Sequence, residues 1–459
     1  MHPVDIGIVV IFLIVMLYLG IRQKADSGES QYLLGGRMLT MPAFIATTVS
    51  TWYGGILGVG EYTYLYGISN WLVFGVPYYV GALLFALFLS KRARSGESLT
   101  IPHKFEQCYG HAAAKCAAVL IFLTTVPGAY MLIMGTLGTH VFGISQTAAV
   151  IASAVFVVLY LWRGGFKSVV RTDALQIALM FGGFILLTTF LCTNYGLEPL
   201  KTLPETHFSA TGGLPLGSIL VWYVIALSTL AEPNFFQRCF AAKSPRVARN
   251  GLLVSIACWC CFDAMTTFCG LYARALLPDL ANPVDAFPTL AETVLPVGLL
   301  GLFFTGLFAT VLSTLDSNLF TTATTFGRDL LNSGEDKVDR GRVRLGLIVG
   351  AILASAVAIS SGSVVKIWKL FGTISAASLL VPIVASYYPG LKLSGRWALV
   401  IMIAGCVVTV SWDAAKLICG GYPYGIEPMF AGLGTSLICY AIGRICSFGG
   451  EFGHSGHKP

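Results

Sequence analysis

Apolar runs close to twenty residues long recur along the whole chain, separated by short polar connections. An α-helix of about 20 apolar residues spans the hydrocarbon core of a bilayer, so each run predicts a membrane-crossing helix. Thirteen are predicted, near 4–21, 42–67, 70–90, 113–136, 146–162, 173–193, 216–236, 252–273, 297–324, 344–361, 367–387, 396–412 and 424–443. The first is too long for the apolar stretch of a signal peptide and lacks a small-residue cleavage site, which makes residues 1–22 a permanent extra helix. The longest connections, near 194–215 and 274–296, are too short to hide a soluble domain. The chain therefore reads as all-α, one integral membrane domain over residues 1–459.

Composition agrees with that pattern. Charged side chains make up only 11% of the 459 residues and hydrophobic ones 56%, whereas soluble domains carry about 25% charged residues. A nucleic-acid binder, a disordered chain and an ordinary soluble enzyme each need more polar surface than this. The net charge of +7 comes from an uneven distribution of basic residues. If the N-terminus is outside, only Lys201, Arg274, Lys366, Lys369 and Lys416 fall on the outer side. Every other Lys and Arg lies on the cytoplasmic side, among them Lys24, Arg37, Arg238, Lys337 and Lys458. The positive-inside rule then places the N-terminus outside and the C-terminus in the cytoplasm of a cell inner or plasma membrane. The cysteines read as small buried hydrophobes, and Cys258, Cys260 and Cys261 have only Asp263 beside them, which is a poor metal set. No histidine set or nucleophile motif suggests catalysis, so the chain is expected not to be an enzyme and to need no organic cofactor.

Two runs break the rule that a spanning helix avoids Gly and Pro clusters unless its broken backbone lines a protected cavity. The run at 42–67 contains Ser50-Thr51-Trp52-Tyr53-Gly54-Gly55 followed by Gly58 and Gly60, and the run at 216–240 contains Glu232-Pro233. Discontinuous helices five spans apart point to an inverted-repeat transporter with its sites at the breaks. In the ninth run, Thr310, Ser313, Thr314 and Ser317 recur at helical spacing, so a row of hydroxyls follows or adjoins one face.

Several stretches resemble the sodium:solute symporter family: YLLGGR at 32–37, RTDALQ at 171–176, FFQRCFAAKSPRVA at 235–248, AFPTL at 286–290 and STLDSNL at 313–319. The resemblance covers essentially the whole chain. It implies a LeuT-like core of 5+5 inverted helices over about 40–390, with residues 391–459 forming peripheral helices and a short tail. It also implies a first sodium site made by the carbonyls of Ser50, Tyr53 and Thr310 and the hydroxyls of Ser313 and Thr314. Some similar symporters hold an extra sodium ion through a matching Asp and hydroxyls. On that basis Asp173, at the start of the sixth helix, could converge with Ser313, Asp316 and Ser317 as a second cation site.

Five acids, Glu61, Asp173, Glu232, Asp263 and Asp316, fall within spans, and no Lys or Arg is expected at the same depth. A bare buried carboxylate is costly, so each must bind a cation, stay protonated or face water. Lys369, near the outer end of its helix, is expected to snorkel, and if it faced the cavity a carboxylate solute would become possible. The stretch TWYGG at 51–55 resembles the choline-transporting branch, and Trp52 could hold a cationic group by cation–π attraction. The expected solute contacts are Trp52, Gly54, Leu57, Glu61, Thr229 and Glu232. The function expected is sodium-coupled import of a small polar organic solute by alternating access, by a monomer in the lipid bilayer. The alternatives are a solute-sensing receptor without net transport, which the short tail after Arg444 disfavours, and a cation channel.

Overall fold

The structure, a computed structural model, describes residues 1–22, 28–331 and 339–452, with side chains through Cys446. Lys24, Lys337 and Lys458, and the last part of the tail, lie outside the described residues. The thirteen spans are α1 (Pro3–Arg22), α2a and α2b (Met41–Ser50 and Ile56–Tyr66), α3 (Trp71–Ser95), α4 (His111–Phe142), α5 (Gln146–Leu161) and α6 (Gly165–Tyr195). They continue with α7 (Leu216–Ala241), α8 (Pro245–Leu276), α9 (Leu299–Leu330), α10 (Arg340–Ser361), α11 (Val364–Ser386), α12 (Gly395–Cys419) and α13 (Pro428–Cys446). Eleven of these are long and apolar enough to cross a membrane on their own.

Two boundaries differ from the hydropathy reading in ways that matter for the site. Helix α6 begins at Gly165, eight residues earlier than expected, because Lys167 and Arg171 lower the hydropathy of its first turns without breaking the helix. Asp173 is therefore more than two turns inside the helix and does not cap its N-terminus. Helix α7 runs on to Ala241, past the end of its apolar run near 236, because Gln237 and Arg238 hide the continuation from a hydropathy scan.

Helix α9 is the axis of the molecule and is buried along nearly all its length. Its N-terminus is capped from another helix: the Asp5 carboxylate of α1 accepts the N–H groups of Gly298 at 2.7 Å and Gly301 at 2.8 Å, a favourable charge at the positive end of the helix. Helix α6 lies against α9, and the close approach depends on Gly306. A Cβ there would stand 2.7 Å from the Leu179 carbonyl oxygen and 3.2 Å from the Gly183 Cα. This contact sets the register that brings Asp173 of α6 beside Ser313 of α9.

On the expected cytoplasmic side, YLLGGR works as a clasp. The Arg37 guanidinium donates to the carbonyls of Gly96 at 2.9 Å and Glu97 at 2.7 Å. Next to it, Leu39 exchanges backbone hydrogen bonds with Ala241 at 3.0 Å and Lys243 at 2.9 Å, tying the start of α2 to the end of α7.

Candidate ion and solute site

Both predicted breaks are real. Helix α2a ends at Ser50, and the chain turns through residues 51–55 before α2b starts at Ile56. Helix α7 tightens into a 3-10 turn over Ala226–Ala231, becomes extended at Glu232, and restarts at Pro233. Proline suits a first helical position, where its missing N–H has no partner to lose. Glu232 caps the new segment, here called α7b (Pro233–Ala241), accepting the Asn234 N–H at 3.2 Å and the Asn234 Nδ2 at 3.0 Å.

The hydroxyl row of α9 divides in two. Thr310 bonds back to the Gly306 carbonyl at 2.7 Å, as intramembrane hydroxyls often do. Ser313 and Thr314 reach other helices: Ser313 donates to Asp173 Oδ1 at 2.6 Å, and Thr314 points at the Ser50 carbonyl oxygen at 3.5 Å. The tip of Tyr53 leaves the break and donates to the Trp259 carbonyl at 2.9 Å. A carbonyl freed by the break of α2 thus faces the Thr314 hydroxyl, and the next hydroxyl along α9, Ser313, bonds to the Asp173 carboxylate. Oxygen sets of this kind suit a hard cation.

Toward α5 and α6 the four residues expected to form a second site do come together. Asp173 and Asp316 are both fully buried. Asp173 accepts hydrogen bonds from Ser313 and Thr47. Asp316 accepts the Tyr160 hydroxyl at 2.5 Å, and the Ser317 hydroxyl lies 3.4 Å from its other oxygen. Tyr160 also meets Thr172 at 2.7 Å. One expectation fails here, since a basic residue does reach this depth. Arg238 of α7b is 1% exposed, and its Nη2 donates to Ser317 at 2.7 Å, Thr51 at 2.8 Å and Thr47 at 3.1 Å, with Asp173 Oδ2 3.9 Å away. Its place at the end of a hydropathy run looked cytoplasmic because the continuation of α7 was hidden.

Between the breaks lies a cavity of about 210 Å³ lined by Trp52, Tyr78, Tyr130, Thr229, Glu232, Trp368 and other side chains including Asn234, Asp263 and Arg238. Three expected solute contacts are not in its wall. Gly54 packs on Thr314, where a Cβ would come within 2.4 Å of the Thr314 Cβ; Leu57 is wholly buried in the core; and Glu61, on α2b, is half-buried outside the lining. All three are close to the break along the chain, but the turn at 51–55 and the helix that follows it point them elsewhere. Trp52 does line the cavity, but one side is taken by stacking on Phe235 at 5.1 Å and Trp259 at 5.0 Å. Asp263 accepts the Tyr79 hydroxyl. Lys369 does not face the cavity: its Nζ sits 2.8 Å from Glu427 Oε2, which removes the basis for a carboxylate partner there. Among the described residues no three His, Cys, Asp or Glu side chains form a metal-holding group.

The profile of the sodium:solute symporter family matches residues 32–405. The chain belongs to that family. Among its relatives, the sodium/pantothenate symporter of Haemophilus influenzae is 25% identical over 92% of this chain and 86% of its own length. The osmoregulated proline transporter of Bacillus subtilis is 24% identical over 93% of each. In fold, the symporter is similar to a substrate-bound, outward-open Na⁺-coupled sialic acid symporter, with a TM-score of 0.79 at 18% identity over 97% of this chain and 98% of that one. A nucleobase-cation-symport-1 family transporter in a closed conformation gives a TM-score of 0.58 at 12% identity over 93% and 95%. The LeuT-like fold, multi-pass membrane architecture and sodium-coupled symport read from the sequence are therefore those of this protein, which is a transporter and not an enzyme. Its partners are sodium ions and a small solute.

Proposed function

We propose that the symporter imports a small solute bearing a cationic group, and that Glu232 is the counter-charge for that group. The supporting observation is the position of Glu232 in the cavity wall, at a helix N-terminus, with the rings of Trp52, Tyr78, Tyr130 and Trp368 lining the same space. Helix-end N–H groups favour the charged carboxylate, and aromatic faces attract a desolvated cation. The cavity is smaller than the usual drug-sized range of about 300 to 1,000 Å³, which suits a small metabolite. Thr229 sits in the same wall. Proline is a zwitterion and pantothenate an anion, so relatives at this distance do not pass on a solute.

The first sodium ion is held by the carbonyls of Ser50, Tyr53 and Thr310 and the hydroxyls of Ser313 and Thr314. A second cation is held by Asp173, Ser313, Asp316 and Ser317. Transport proceeds by alternating access within the 5+5 helix core over about 40–390, a bundle rocking against its scaffold around the breaks. The symporter acts as a monomer in the cell membrane with its N-terminus outside and its C-terminus in the cytoplasm, following the asymmetry of its basic residues. Arg238 no longer counts toward that asymmetry, and the remaining bias keeps its sign.

The test is a competition panel in proteoliposomes under an inward sodium gradient, comparing quaternary ammonium, primary amine, zwitterionic and anionic solutes. A cationic or zwitterionic solute is expected to be accumulated, and Glu232→Gln to weaken its uptake about tenfold or more. Selective accumulation of anionic solutes, unaffected by Glu232→Gln, would refute the reading.

A further inference from the structure

Arg238 is the one fully buried basic side chain among the described residues, and nothing in the coupled-transport reading uses it. Its Nη2 occupies the hydroxyl cluster formed by Thr47, Thr51 and Ser317, at 3.1, 2.8 and 2.7 Å. Ser317 and Asp173, both expected ligands of the second cation, are thus already next to a positive charge. A sodium ion coordinated by the same oxygens would lie within a few ångströms of the guanidinium, where two like charges in a buried setting repel strongly.

We infer that Arg238 is a tethered cation that contends with the second sodium ion for the oxygens of Asp173 and Ser317. The inference rests on the second-site reading above. Two features indicate that the guanidinium is built to move. Its Nε has no hydrogen-bond partner among the described residues, so its burial is incompletely compensated. It is also carried by α7b, the short segment after the break, which is the sort of element that shifts during alternating access. The same side chain connects the two functions of the protein. Nη1 lies 3.3 Å from Asn234 Oδ1, and Asn234 Nδ2 donates to Glu232 at 3.0 Å. A cation arriving at Glu232 is thereby linked through one residue to the group that controls sodium at Asp173. Such a link has to act in both directions, because coupling between two binding sites is reciprocal.

The experiment measures radiolabelled sodium bound per molecule of purified full-length protein as sodium is raised. It compares the wild type with Arg238→Gln, Arg238→Lys and Asp316→Asn, each checked for a wild-type melting transition. Arg238→Gln is expected to raise sodium affinity at the weaker site about tenfold or more, whereas a merely structural role would lower it or leave it unchanged. Arg238→Lys keeps the charge and is expected to stay within about threefold of wild type. An unchanged isotherm in Arg238→Gln, or an equal rise in Arg238→Lys, overturns the inference. Asp316→Asn reports on the second site itself: weakened sodium binding there, with Arg238→Gln silent, leaves the site standing and removes only the role of Arg238. If Arg238→Gln does not fold, Thr51→Val removes one anchor of the guanidinium and no proposed sodium ligand. It is expected to raise affinity in the same direction by about threefold, and no rise would overturn the proposal.

Discussion

Replacing Ser313 with alanine separates a sodium ligand from an ordinary intramembrane hydroxyl. Ser313 is fully buried and donates to Asp173 Oδ1 at 2.6 Å, and in the proposed arrangement it contributes to both cation sites. A hydrogen bond involving a charged group is worth about 1.5–3 kcal/mol, and every 1.4 kcal/mol is about tenfold in affinity. Ser313→Ala should therefore raise the half-saturating sodium concentration roughly 10- to 150-fold. Thr310→Val is the matched control on the same helix face. The Thr310 hydroxyl is spent on the Gly306 carbonyl at 2.7 Å, and only its backbone carbonyl is a proposed ligand, so its sodium dependence should shift by less than about threefold. The assay is equilibrium binding of radiolabelled sodium to both variants, with thermal melting to show that each is folded. Equal shifts in the two variants, or no shift in Ser313→Ala, would show that the break of α2 does not form the ion site through this hydroxyl.

Other outcomes follow from packing, capping and topology. Gly306→Ala should lower stability by about 1–3 kcal/mol, read as a lower melting temperature, because the new methyl meets the Leu179 carbonyl at 2.7 Å in the α6–α9 contact. Asp5→Ala should cost about 1–2 kcal/mol by uncovering the N–H groups at the start of α9, and Asp5→Asn, which keeps an acceptor, should lose less; equal melting of all three forms would refute the cap. For topology, Cys192, Cys261, Cys419 and Cys446, the exposed native cysteines, are first replaced by serine. Glu205→Cys should then be labelled from outside by an impermeant thiol reagent and Lys91→Cys should not, and reversed labelling would invert the assignment. Both positions are exposed.

Much of the architecture was legible because a bilayer imposes a simple length rule on the chain. All thirteen spans and both breaks could be read from apolar runs and from the Gly-rich and Glu-Pro interruptions within them. The candidate ion site was partly legible for the same reason, since Ser313, Thr314, Asp316 and Ser317 share one helix and Asp173 stands in a recognisable motif. What stayed hidden depends on long-range packing or on polar residues inside helices. Thr47 and Thr51 of the α2 span and Tyr160 of α5 complete the second cluster, and nothing in the local sequence marks Thr47 or Tyr160. Arg238 sits on a helical extension whose polar residues resemble a cytoplasmic loop. Asp5 caps a helix nearly three hundred residues away. The cavity wall was the least legible part, because distance along the chain from a break does not say which way a side chain turns. Gly54, Leu57 and Glu61 face away from the cavity, while Tyr78, Tyr130 and Trp368 enter its wall from α3, α4 and α11.

The most direct test of the account is the sodium requirement of transport in sealed proteoliposomes. A solute found by the competition panel should accumulate against its own gradient when sodium is high outside, and accumulation should cease when potassium replaces sodium or when Ser313 and Thr314 are both changed to alanine. Equal accumulation without a sodium gradient, or full activity in the double variant, would contradict coupling through the break of α2 and the hydroxyls of α9.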